Sequence, residues 1–283
     1  MFITLIISLL AALHVQFSTV STIEIDRARA AFEAEDYALA VPLFLRLAKA
    51  GNAEAQFYTG FAFAHGHGVT PNDETAVQWY RLSADQEFAP AQFYLSNLYR
   101  EGRSVDKDND IAFDLLLNAA DQGYARAQFN LGGVFLHGIK VAHDYDAALD
   151  WYNRAAEQDY LPAQLMLGIL YGGGFIRQIR EDHANALKWR RRAAEQGSPK
   201  GQYLLANTYR LKGDDSDDRI LAYMWYDIAA LDYEKAVKER ETLATLMPPE
   251  EILKAQELVQ ICLVNEYKNC GRMLKDLLPD TIQ

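Results

Sequence analysis

The sequence repeats itself. The phrase "ADQEFAPAQFYLSNLY" at residues 84–99 returns as "ADQGYARAQFNLGGVF" from residue 120 and as "AEQDYLPAQLMLGILY" from residue 156. Diverged copies begin at residue 48, "AKAGNAEAQFYTGFAF", and at residue 194, "AEQGSPKGQYLLANTY", so successive starts lie 36, 36, 36 and 38 residues apart. A fixed period of this size marks stacked supersecondary units, none of which can bury its apolar face alone.

Aligning the copies gives columns with separate physical tasks. A first helix opens near Ala55, Ala91, Ala127, Ala163 and Gly201, each followed by Gln, and these small residues let a neighbouring helix approach. Pro90, Pro162 and Pro199 suit its opening turn, where a missing N–H costs nothing. Four residues on stand Thr59, Leu95, Leu131, Leu167 and Leu205, then the small column Gly60, Ser96, Gly132, Gly168 and Ala206. One further turn brings Phe63, Tyr99, Phe135, Tyr171 and Tyr209, completing one helical face. Gly66, Gly102, Gly138, Gly174 and the displaced Gly213 end that helix. Asn72, Asp108, Asp144, Asp182 and Asp218 are placed to cap a second helix. Its buried stripe reads Ala76/Trp79/Ala84, Ala112/Leu115/Ala120, Ala148/Trp151/Ala156, Ala186/Trp189/Ala194 and Ala222/Trp225/Ala230.

These columns define an all-α fold, a right-handed α-solenoid of stacked antiparallel helix pairs with about five 36-residue repeats and terminal capping helices. Residues 51–231 hold the repeats and 22–50 an N-terminal capping pair, in which Asp36 is the cap and Pro42 disturbs the second helix. Residues 232–283 hold the C-terminal capping helices, broken at Pro248-Pro249, and the cysteine pair.

The pattern A-x-x-x-L-G-x-x-Y-x-x-G, a V-x-x-D loop, then A-x-x-W-[YF]-x-x-A-A-x-x-G resembles the Sel1-like repeat, a relative of the tetratricopeptide repeat. The terminal "AQELVQICLVNEYKNC" looks like the tail of exported bacterial proteins of that type. The resemblance implies a helical solenoid serving as an adaptor or regulator in protein assemblies, often at the bacterial envelope.

Residues 1–21 read as a signal peptide: no charge stands before Glu24, and Phe2 to Leu13 is an apolar run too short to span a bilayer. The run lacks a preceding basic residue and an Ala-x-Ala exit, and the competing reading is a buried first helix. Export makes the location periplasmic or secreted, with membrane contact only through an uncleaved leader. Cys262 and Cys270 read as a disulfide in an exported chain and as two inert thiols in the cytosol. A net charge of −11 argues against nucleic acid and anionic membranes.

No residue set calls for catalysis, a cofactor or a metal. His65 and His67 leave a zinc ion without a third ligand in their unit. Ser104-Val105-Asp106-Lys107 matches the Ser-x-x-Lys of penicillin-recognising enzymes but lacks its partner motifs. Arg190-Arg191-Arg192 is expected on a solvated outer face. The chain is therefore read as a non-enzymatic module binding another protein, with a structural envelope subunit or a penicillin-binding or β-lactamase-type enzyme as alternatives. The expected contacts are first-helix positions between the core columns: Tyr58, Phe61, Tyr94, Asn97, Asn130, Met166, Ile169, Leu204 and Asn207. Aromatic and apolar anchors with interspersed amides suit a peptide or helical segment.

Overall fold

The computed structural model describes residues 22–173, 178–212, 215–268 and 270. The leader, Gly174, Gly213, Asn269 and Gly271 lie outside the described residues. Among those described, all regular structure is helical. Residues 22–33 (α1) and α2 (Tyr37–Lys49) form the opening pair, and α2 runs on through Pro42. Five repeat pairs follow: α3 (Ala53–His65) and α4 (Asp73–Ala84), α5 (Ala89–Glu101) and α6 (Asn109–Asp121), α7 (Ala125–His137) and α8 (Tyr145–Glu157), α9 (Leu161–Leu170) and α10 (His183–Glu195), α11 (Pro199–Lys212) and α12 (Ser216–Ala229). The chain ends in α13 (Glu234–Ala244) and α14 (Pro249–Val264). Packing divides it into two compact units, Met1–Leu131 and Gly132–Gln283.

Local chemistry sets the helix ends. The side chains of Asn72, Asp108, Asp144 and Asp182 accept from the first-turn amides of α4, α6, α8 and α10. The fifth cap differs from the expectation. Asp215, with an extended backbone, accepts from the amide of Asp217, while Asp218 lies buried within α12 and accepts from Lys212 at 3.1 Å. Gly66 and Gly102 take left-handed conformations that stop the first helices. Glu87 and Asp159 adopt the same conformation, φ 61° and 58°, where three other repeat junctions place glycine. The first four inter-helix loops share one closing bond: the amides of Asn72, Asp108, Asp144 and Asp182 donate to the carbonyls of Phe63, Tyr99, Phe135 and Tyr171 at 2.9–3.1 Å.

The glutamine after each opening alanine is buried. Gln56, Gln128, Gln164 and Gln202 donate to the carbonyls of Ala48, Ala120, Ala156 and Ala194, near the end of the preceding second helix. The Oε1 atoms of Gln56, Gln92 and Gln164 accept from Gln86, Gln122 and Gln196 at 2.7–2.8 Å. One amide thus ties three helix ends.

Within a pair, the tightest approach differs from the expected tryptophan stripe. Trp189 and Trp225 are buried, but Trp79 and Trp151 are half-exposed, and Tyr80 and Tyr152 beside them lie deeper. A Cβ on Gly60 would meet the Tyr80 ring at 2.9 Å, and one on Gly132 would meet Tyr152 at 2.9 Å. The small column therefore makes room for the aromatic after the tryptophan. Burial pushes the Tyr152 and Tyr226 hydroxyls up to about 12.

At the C-terminus, Arg219 of α12 grips Glu251 of α14 through both carboxylate oxygens at 2.6 and 3.0 Å. Past α14, Glu266 and Tyr267 turn with positive φ, and Cys270 joins Cys262 in a buried disulfide with Cα atoms 5.2 Å apart. Tyr267 then lies over the Gly197 turn, where a Cβ would meet its ring at 3.1 Å.

Two predictions follow from this packing. Tyr152→Ala removes a wholly buried ring and should cost about 3–5 kcal/mol, whereas Trp151→Ala should cost less; urea denaturation of both variants checks the order, and a larger loss at Trp151 would refute it. The hydrogen bonds from Arg219 hold the Glu251 carboxyl below the usual carboxylate range. A lowered folded pKa gives stability that is full above the unfolded value and disappears as pH falls through the folded one. Glu251→Gln should thus lose about 2 kcal/mol at neutral pH, with the gap to the parent closing in acid; a gap independent of pH counts against the ion pair.

Candidate interaction surface

The first helices of unit Met1–Leu131 bring together aromatic rings that the core columns do not require. Tyr58 stacks on Phe44 with ring centroids 4.6 Å apart and also meets Phe32 at 5.3 Å. Burial, ahead of the nearby Glu54 charge, raises its pKa. Phe61 stacks on His65 at 4.0 Å and presents an edge-on contact to Tyr94 at 5.5 Å. The Tyr94 hydroxyl accepts from Arg126 at 3.1 Å. Asn97 donates to the carbonyl of Phe93 and accepts from Arg100, so part of its hydrogen-bonding capacity is used within α5. Tyr58, Phe61, Tyr94, Asn97 and Asn130 are all half-buried. Tyr58 is the most committed to internal packing, and Phe61, Tyr94 and Asn97 are better placed to meet a partner.

In unit Gly132–Gln283 the expected positions are Met166 and Ile169 on α9 and Leu204 and Asn207 on α11, again half-buried. Asn207 accepts from the hydroxyl of Tyr226 at 2.7 Å. One neighbour of this strip was not expected. Arg190 follows Trp189 in the column of Tyr80, Tyr152 and Tyr226, and its side chain crosses from α10 to the first helices. Its Nε donates to the carbonyl of Gly168 at 2.8 Å and Nη1 to Thr208 at 2.7 Å. The column itself was the available signal.

The arginine run therefore departs from the expected solvated face, because its three members point into three different contacts. Arg191 donates to the Tyr209 hydroxyl at 3.0 Å. Arg192 lies over Trp189 and pairs with Glu157 and Asp159 at 2.6 and 2.7 Å. Hydrogen bonds from Lys188 and then Arg192 hold the Glu157 carboxyl below its ordinary range. All three arginines are partly covered.

His65 and His67 belong to the aromatic stack, with rings 5.7 Å apart and His67 on Tyr37 at 4.6 Å. Among the described residues no group of three or more His, Cys, Asp or Glu is placed to hold a metal ion, and no helix is long and apolar enough to cross a membrane. Ser104 occupies an exposed turn with φ 57°, outside any helix.

This architecture is that of an all-α solenoid of tandem helix pairs. The Sel1 repeat model matches it five times, at residues 53–88, 89–124, 125–160, 161–198 and 199–233, and the chain belongs to the Sel1 repeat family. It is similar to a protective antigen present in uropathogenic Escherichia coli strains that displays an SLR fold, at 25% identity and a TM-score of 0.73. That likeness covers 93% of this chain but 57% of the antigen, so the chain spans little more than half of that protein's length. A Sel1 repeat protein from Oxalobacter formigenes is 26% identical, with a TM-score of 0.67 over 84% of this chain and 99% of its own. An immunity protein from Pseudomonas aeruginosa, 17% identical with a TM-score of 0.50, shares the fold over 72% of this chain and 81% of its own. No curated protein sequence matches significantly.

Proposed function

We propose that this chain is a non-enzymatic adaptor or regulator of the bacterial envelope that holds a peptide or helical segment of another protein on its first helices. Sel1 repeats are typically protein-interaction modules, which supports the general class. The observation that carries the reading is the use of side chains. The buried glutamines lock one repeat to the next, and the glycine–tyrosine contacts close each helix pair within a repeat. Phe61, Tyr94, Met166, Ile169 and Leu204 lie outside those locks and remain partly exposed. Half-exposed aromatic and aliphatic anchors flanked by amides match the chemistry of peptide grooves. Export, to the periplasm or beyond, is supported by the charge-free apolar leader and by the Cys262–Cys270 disulfide, which an oxidising compartment preserves.

Photoreactive side chains placed singly at Asn97, at Ile169 and at Gln78, which is exposed on α4, test the surface in cells. Adducts of one defined mass are expected from Asn97 or Ile169 and none from Gln78. Adducts from Gln78 alone would move the site to the second helices. A fusion of residues 1–40 to alkaline phosphatase should be active outside the cytoplasm, and an inactive cytoplasmic product would remove the export reading.

A further inference from the structure

Arg190 is a cation in a position built for a neutral ring. Its column holds Tyr80, Tyr152 and Tyr226 in three other repeats, all buried. The opposing glycine is retained: a Cβ on Gly168 would meet the Arg190 side chain at 2.9 Å, much as one on Gly60 or Gly132 would meet its tyrosine. Gly172, one helical turn later, leaves the space occupied by the guanidinium, because a Cβ there would collide with Nη2. Through this gap the arginine spans α9 and α11, bonding to Gly168 and Thr208.

Among the described residues the charge has no counter-ion. Arg29, Arg192, Arg219 and Arg240 each face a carboxylate. Arg190 meets a carbonyl and a hydroxyl, and no carboxylate reaches it among the described residues. Those bonds use two of the five N–H groups of the guanidinium, and no described residue accepts from the other three. Burial lowers its pKa with no acidic neighbour opposing the effect. A half-buried guanidinium that meets no described carboxylate keeps forked donors that an anion can take. Apolar side chains stand on the same two helices, Met166 and Ile169 on α9, Leu204 and the 76%-exposed Leu211 on α11.

We propose that Arg190 receives the carboxylate of a Glu or Asp side chain from the bound partner segment, with apolar residues of that segment lying on the strip formed by Met166, Ile169 and Leu204. The proposal rests on the first-helix reading of the partner surface and assigns the chemistry that this part of it selects. Planar, forked donors favour a carboxylate over a neutral amide of the same shape. The chain's net charge of −11 opposes long-range attraction of an acidic segment, so selection here is by short-range hydrogen bonding.

Three leucine-rich pentapeptides test it by NMR titration of the full chain: one blocked at both ends with a central glutamate, one blocked at both ends with a central glutamine, and the glutamine peptide with a free C-terminal carboxylate. The methyl groups of Met166 and Ile169 and the Arg190 Nε–H resonance report binding. The glutamate peptide should bind about tenfold more tightly than its glutamine counterpart and shift the Nε–H signal. Arg190→Tyr restores the column's usual residue opposite Gly168, and there the difference should vanish. Equal affinities, or a difference that survives Arg190→Tyr, would overturn the proposal; so would a preference for the free C-terminus alone. If the variant does not fold, the Nε–H shift in the parent decides between glutamate and glutamine. Methyl shifts of equal size with all three peptides would leave the partner surface standing while removing the carboxylate. No methyl shift with any peptide would remove both.

Discussion

The array depends on a buried amide. Four of the five first helices begin by placing a glutamine against the end of the previous second helix, where the last carbonyls have no partner within their own helix. Gln164 shows the arrangement in full: it donates to Ala156 of the preceding pair and accepts from Gln196 at the end of its own. Once buried, both ends of the amide must be satisfied, and only one stacking register does so. The repeat length can then vary in one place. Gln56 and Gln92 accept from glutamines 30 residues on, whereas Gln164 accepts from one 32 residues on. The two additional residues sit in the fourth inter-helix loop, which still closes through the bond from Asp182 to Tyr171. Insertion there leaves the lock intact; insertion between repeats would break it.

A second relation links neighbouring repeats without being uniform. The aromatic that ends the first helix accepts from a residue 18 positions earlier in the pairs Arg81–Tyr99, Asn153–Tyr171 and Arg191–Tyr209. The same spacing in the sequence matches Leu45 with Phe63 and Leu117 with Phe135. In the sequence, a donor accompanies each of these tyrosines and a leucine each of these phenylalanines. A half-buried hydroxyl keeps its cost low only where a donor faces it, and where the donor becomes leucine the hydroxyl is absent too.

Sequence columns reveal helices, caps and stops because those are local: an Asx side chain reaches two or three residues, and a left-handed glycine acts on its own turn. They do not reveal which of two adjacent bulky residues lies deeper. Trp151 and Tyr152 differ by about 100° around a helix, and only the position of the facing helix with Gly132 decides that tyrosine goes under and tryptophan stays half out. The same ambiguity hid Arg190, since a run of three arginines looks solvated until the column beside Trp189 is followed across the glycine. At the fifth cap, Asp215, Asp217 and Asp218 were all chemically able, and backbone conformation chose the first. The proposed partner surface is legible only as residues the core columns do not need; whether each is used internally, as Asn207 is by Tyr226, depends on helices distant in the sequence.

The small column gives this fold a way to change its surface without changing its backbone. A side chain entering over Gly60 or Gly132 is a tyrosine, and burial raises the pKa of Tyr80 and Tyr152 far enough that their hydroxyls stay neutral. Over Gly168 the same path carries a guanidinium, which remains charged even where burial lowers its pKa. Over Ala206, where the column residue has a Cβ, Tyr226 ends on Asn207. Arg190 and Tyr226 thus carry a polar tip to the first-helix side past one small residue, whereas the same position in the second repeat is the buried, apolar Leu116, and the glutamine lock holds the stacking in both cases. Stacking and surface chemistry are separated along the repeat: the amide ties the helix ends, and the residue after the tryptophan sets the chemistry between the two helices of a pair.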